Sequence, residues 1–96
     1  MSKTVKALAG LKGRVYVYLA NQEIASRFLQ DAENEGFIFE DGAKPTSRAC
    51  DTVMAINHNH TINYVGAVGH IAFGSGTTQI GNEDLIRVDY RQYVKE

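Results

Sequence analysis

The sequence predicts an α+β domain: a mostly antiparallel six-stranded sheet with one main helix packed on it, in a protein that is expected to be oligomeric. Three observations lead there. Short segments that alternate in polarity, or are rich in β-branched and aromatic residues, recur six times between Arg14 and Tyr90. One stretch, Asn21 to Gly36, instead carries apolar residues at helical spacing. Most of the connections are too short for parallel crossovers, which favours antiparallel pairing.

At 96 residues the chain is one domain, small but able to bury a core. Residues 1–12 are weakly patterned and read as an N-terminal arm ahead of a single α+β ligand-binding domain, 13–96. From Arg14 to Leu19, Val15, Val17 and Leu19 take one face and Tyr16 and Tyr18 the other, which is a strand. Asn21 is a good N-cap and Glu23 suits the first helical turn. Ile24, Ala25, Phe28, Leu29 and Ala32 form one apolar stripe, and Gly36 stops the helix. Phe37 to Glu40 is a short strand ended by the turn pair Asp41-Gly42, and Ala43 to Asp51 is a loop around Pro45. Val53 to Ile56 and Thr61 to Val65 flank the polar turn 57–60 as a hairpin. Val68 to Phe73 reads as another strand. Asp84 to Tyr90 is the last, with Ile86, Val88 and Tyr90 on one face and Leu85, Arg87 and Asp89 on the other. One helix covers only part of one sheet face, so the remaining face or edge is expected to pair with another subunit.

Composition narrows the function classes. Apolar residues make up 44% and charged residues 22%, as in ordinary soluble chains. A formal net charge of −1 argues against holding a nucleic-acid polymer by bulk electrostatics, yet suits a small anion gripped by a few arginines. The single cysteine, Cys50, rules out an intrachain disulfide framework and points to a reducing cytoplasm. No apolar run approaches the roughly 20 residues of a membrane span, and the Ala7 to Gly10 run is too short for a secretory signal.

The richest segment is Gly66 to Asn82, GAVGHIAFGSGTTQIGN, with five glycines and three hydroxyl side chains. Glycine lets backbone approach a ligand and adopt positive φ, and successive amides in such turns form anion-holding concavities. Gly74, Ser75, Gly76, Thr77 and Thr78 thus offer amides and hydroxyls to a phosphate, and Phe73 offers a face for a base. The spacing matches neither a P-loop nor a dinucleotide fingerprint, and the plainer alternative is a hairpin turn. Arg48, Arg87 and Arg91 supply planar forks for phosphate. Their plainer roles are an ion pair with Asp89 for Arg87 and a solvated helix start for Arg91. His58 and His60, with Asp51, Glu83 or Asp84, are a candidate metal set, against the commoner outcome of surface histidines in a turn. A His-pair phosphodiesterase would require a second H-x-[ST], and only His60-Thr61 is present. Cys50 has no Cys-His-Asn constellation and reads as a small half-buried residue. No cofactor and no metal is expected.

These pieces sit in a recognisable order. YVYL leads into the helix, Ala32 to Phe37 reads AENEGF, and KPTSR, TINYVG, HIAFGSG, IGN and LIRVDY follow. From about Val15 to Tyr93 the chain resembles a family of small phage and prophage proteins, the Thoeris anti-defence sponges of the first-described type. Many members continue into two long C-terminal helices that this sequence, ending at Glu96, does not include. The resemblance implies an antiparallel six-stranded sheet and binding without turnover. Such sponges sequester cyclic ADP-ribose isomers made by TIR-domain immune enzymes, and some also hold cyclic di- or trinucleotides of the CBASS kind. It further implies homodimers assembling to a higher oligomer such as a hexamer, with pockets at subunit contacts, in the host bacterial cytoplasm. By motif, Arg48 would grip a phosphate, Phe73 would stack on adenine, Asn82 would bond base or ribose, and Arg87 or Arg91 would reach a phosphate. The competing classes are a protein-binding inhibitor of a host defence nuclease and a His-dependent cyclic nucleotide hydrolase. The near balance of 10 basic and 11 acidic residues disfavours a DNA-mimicking inhibitor.

Overall fold

In the computed structural model, residues 4–76, 78–80 and 83–95 are described. The helix read from the stripe is there: α2 spans Gln22–Asn34, and the Asn21 side chain accepts a hydrogen bond from the Ile24 amide at 2.9 Å. Ala25, Phe28, Leu29 and Ala32 are its buried face. Phe28 meets Tyr90 edge-on, with ring centroids 5.2 Å apart. The Tyr90 hydroxyl donates to Asp31, and burial followed by that bond pushes its pKa up.

The segment read as an arm is packed over its described part. Helix α1, Val5–Ala9, buries Val5, Leu8 and Ala9 in the main core. Five residues are too few for a helix to persist alone, and other groups hold this one. The Glu35 carboxylate accepts from the Val5 and Lys6 amides at 3.0 and 2.9 Å, and the Tyr93 hydroxyl donates to the Thr4 carbonyl at 2.7 Å.

The α+β class holds, but the sheet is mixed rather than mostly antiparallel. Its strands are β1 (Arg14–Tyr18), β2 (Ile38–Phe39), β3 (Val53–Ile56), β4 (Thr61–Tyr64) and β6 (Glu83–Asp89), in the order β2-β4-β3-β1-β6. The two-residue β5, Gln79–Ile80, extends the β6 edge antiparallel. Among the described residues β1–β3 and β3–β4 are antiparallel, whereas β1–β6 and β2–β4 are parallel. The short-connection argument holds for the β3–β4 hairpin and the β5–β6 pair. Helix α2 is itself a crossover, and it delivers β2 to the far side of β4.

The expected strand at Val68 to Phe73 is instead helical: α3 spans Gly66–Gly74. A short apolar run cannot be assigned to helix or strand by periodicity alone. Topology decides. The chain leaves β4 and rejoins the sheet at β5, beyond β3, β1 and β6 and so four strand spacings away, or roughly 19 Å at ~4.8 Å each. Nine helical residues rise about 14 Å of that distance, at ~1.5 Å each. Crossing there, α3 also covers an apolar surface. Tyr16, Val53, Ala55 and Leu85 form a second cluster on this face, packed by Val65 and Phe73. One main helix therefore becomes four among the described residues, with α4 at Tyr90–Lys95.

Gly13 enters β1 at φ +136, and a Cβ there would lie 2.5 Å from the Asp84 carbonyl oxygen. Gly13→Ala is expected to destabilise the fold by about 1–3 kcal/mol. Gly10→Ala, where the nearest atom would be 3.6 Å away, should stay within about 0.5 kcal/mol of wild type. Urea denaturation of both variants checks the contrast.

Candidate functional site

The expected ligand residues fall into two clusters. The first lies at the end of α3. Arg87, on β6, donates from Nε to the Phe73 carbonyl at 2.8 Å and from Nη2 to the Ala72 carbonyl at 3.0 Å. Those carbonyls belong to the last turn of α3, which has orphan acceptors and a negative dipole end. The same guanidinium lies 5.8 Å from the centroid of the Phe73 ring. The ion pair with Asp89 that the strand pattern suggested for Arg87 gives way to these carbonyls. The Phe73 ring also stacks on Tyr18, at 6.1 Å between centroids and 22° between planes. Gly74 closes the helix and the Ser75 hydroxyl donates to the Ala72 carbonyl at 3.4 Å. Gly76 follows at φ +77. Gly74 to Gly76 thus continue a helix end rather than the hairpin turn weighed above, and Thr77 and Asn82 lie outside the described residues.

The second cluster surrounds Arg48. Its Nη2 pairs with Asp41 at 2.6 Å, and its guanidinium lies over the Phe39 ring, 5.0 Å from the centroid. Phe39 stacks on Tyr64 at 5.6 Å, and the Tyr64 hydroxyl donates to the Ala49 carbonyl at 2.6 Å. These residues line an open cavity of about 220 Å³. The Arg48 bond, followed by the Ala43 amide, holds Asp41 below the ordinary 3.8.

The two clusters lie on opposite faces of the sheet. Phe39 belongs to the α2-side core, and Tyr64 is registered against Met54 of that same core. Phe73 packs on the Tyr16, Val53, Ala55 and Leu85 side. Arg48 and Phe73 of one chain therefore cannot close on one small ligand. Arg91 joins neither cluster. It is exposed in α4, and its amide donates to Asp89 at 3.1 Å, much as a solvated helix start would be.

The histidines go to three different places. His58 donates from Nδ1 to the Ala9 carbonyl at 2.7 Å and sets Nε2 3.6 Å from Glu83. His60, at φ 63 in the β3–β4 turn, stacks on Phe37. His70 donates to Asp51 at 2.9 Å. Among the described residues no group of three His, Cys, Asp or Glu converges to hold a metal. Burial, then the neighbouring Asp51, pushes the Cys50 thiol up to about 12.

Sequence reasoning missed Tyr18, Tyr64 and a cleft beside the α1–β1 turn. That cleft, about 510 Å³, lies between the α1–β1 turn (Gly10 to Gly13), His58 and the Glu83-Asp84 pair. For Tyr18 the signal was present, since its alternation already placed it on the face away from Val15 and Val17. Among the described residues no helix is long and apolar enough to cross a membrane. Compared with known proteins, the chain matches no family model, no curated protein and no solved structure.

Two titrations test these environments. Cys50 should react with iodoacetamide at pH 8 far more slowly than a model thiol, because the thiolate is the nucleophile and forms only near pH 12 here. A rate equal to that of free cysteine would show the site to be open. The His70 hydrogen bond, then the Thr52 amide, depresses Asp51. Its contribution to stability is therefore present above the ordinary 3.8 and lost as pH falls through the lower folded value. Asp51→Asn should flatten the acid limb of stability measured by circular dichroism between about pH 5 and 2.

Proposed function

We propose that this protein binds a small anionic purine nucleotide, a cyclic ADP-ribose isomer or a related cyclic di- or trinucleotide, and holds it without cleaving it. It would act as a sponge for an immune signal in the host bacterial cytoplasm. The observation that carries this reading is the Phe73–Arg87 pair: a half-buried aromatic face with a guanidinium beside it, backed by a second ring. Stacking surface and cation together are what a phosphorylated base requires. Arg48, over the Phe39 ring beside an open cavity, supplies a second phosphate-sized grip.

The opposite-face arrangement adds a condition. A pocket that uses both Arg48 and Phe73 takes them from two copies of the chain, so the reading includes a homo-oligomer, with a dimer building toward a hexamer. The HIAFGSG, KPTSR and LIRVDY runs that carry the family resemblance contain these same residues. The hydrolase alternative draws no support from His58 and His60, whose rings have separate partners.

Native mass spectrometry and thermal shift with a panel of cyclic ADP-ribose isomers, cyclic dinucleotides and cyclic trinucleotides test the reading. At least one should raise Tm by mass action, bind to an oligomer, and be recovered intact after heat denaturation. A cleaved product, or no binding by any member, ends it. Arg48→Ala should keep the ligand-free Tm close to wild type, since its ion pair is exposed, and should lose the ligand-induced shift. Phe73→Leu keeps most of the packing volume and should weaken binding by about 1–3 kcal/mol, the range for one base–aromatic stack.

A further inference from the structure

Tyr18 and Phe73 are mounted very differently. Tyr18 ends β1, a strand with partners on both sides, and is registered against Val53 of β3 and Asp89 of β6. Its side chain is nonetheless 37% exposed. Phe73 rides on α3, which starts without a side-chain cap. That helix has glycines in the left-handed region at both ends, Gly66 at φ 70 and Gly76 just beyond it at φ 77. Ile71, on its outer side, is 69% exposed. Terminal residues of this kind absorb the backbone rotations that shift an element as a body. One ring is thus fixed to the sheet, and the other is carried by an element with pivots at its two ends.

We propose that Tyr18 is the second wall of a slot that takes a planar aromatic heterocycle between itself and Phe73. The proposal rests on the nucleotide-binding reading above, and adds to it a residue and a ligand requirement. A sandwiched ring needs walls about 7 Å apart, twice the ~3.5 Å carbon contact distance. The centroids stand at 6.1 Å and the planes are 22° from parallel, the spacing of an offset-stacked pair already in contact, so the slot opens by a shift of α3 of about one ring thickness, ~3.5 Å. Arg87 grips the Ala72 and Phe73 carbonyls, which keeps its charge at the mouth of the slot for the phosphate of the same ligand. His70, one turn back on α3 and bonded to Asp51, ties the helix to the start of β3 behind the slot. A nucleotide without an aromatic base gains nothing from this arrangement, so the slot selects for purine and pyrimidine signals over bare phosphates or sugar phosphates.

The test measures affinity for each nucleotide of the panel that shifts the wild type, using Tyr18→Leu, Tyr18→Phe and Phe73→Leu. Tyr18→Leu should weaken binding roughly 5- to 150-fold, as for loss of one base–aromatic stack; Tyr18→Phe should stay close to wild type. Tyr18→Leu binding like wild type while Phe73→Leu is weakened would overturn the slot and leave the nucleotide reading standing. Wild type binding nothing overturns both. If Tyr18→Leu does not fold, wild-type protein with ring-labelled tyrosine is titrated by NMR. An upfield ring-current shift of the Tyr18 ring signals is expected, and signals that stay in place while the nucleotide binds overturn the proposal.

Discussion

Val15 and Val17 point to one side of β1 and Tyr16 to the other, and all three are at most 6% exposed, so the central strand must be covered on both faces. That demand organises the molecule. The α2 side is closed by the Phe28, Leu29 and Ala32 stripe together with α1 and Tyr90. The other side has its own small cluster, Tyr16, Val53, Ala55 and Leu85, and there Val65 and Phe73 supply the packing. The two covers differ in strength. A capped helix of 13 residues backs the first; a glycine-rich helix of 9 residues, with no side-chain cap at its start, backs the second.

The weaker cover is also where the candidate chemistry concentrates. Arg87, Phe73 and Tyr18 each have a structural task here: the arginine satisfies the last carbonyls of α3, and the two rings pack on each other. Low local stability and ligand contact commonly coincide, because an element that moves to admit a ligand cannot also be the most firmly packed. Structural and ligand roles of these side chains are therefore not exclusive. Volume-keeping substitutions separate them better than truncations do.

Arg48 belongs to a different neighbourhood, on the α2 side and near the β2 edge of the sheet. Its partners Asp41, Phe39 and Tyr64 make a self-contained group that owes nothing to α3. The edge strand β2, with the exposed side chain of Ile38, is suited to association. Under the proposed nucleotide reading, a second copy of the chain is what would bring an Arg48 and a Phe73 to one ligand.

Much of the architecture was legible from local chemistry. Asn21 and the apolar stripe determined α2, alternation determined β1 and β6, and the polar turn 57–60 between β-rich runs determined the hairpin, because caps, periodicity and turns act within a few residues. What tertiary structure alone decided was everything set by distance across the sheet. The run 66–74 reads equally well as strand or helix, and became a helix because the chain had to cross three strands over an uncovered apolar face. The parallel β1–β6 pairing, the docking of Val5 and Leu8 under Glu35 and Tyr93, and the separation of Arg48 from Phe73 follow from the same source. Each depends on which face a residue meets after the chain has turned back on itself, and no short-range pattern encodes that.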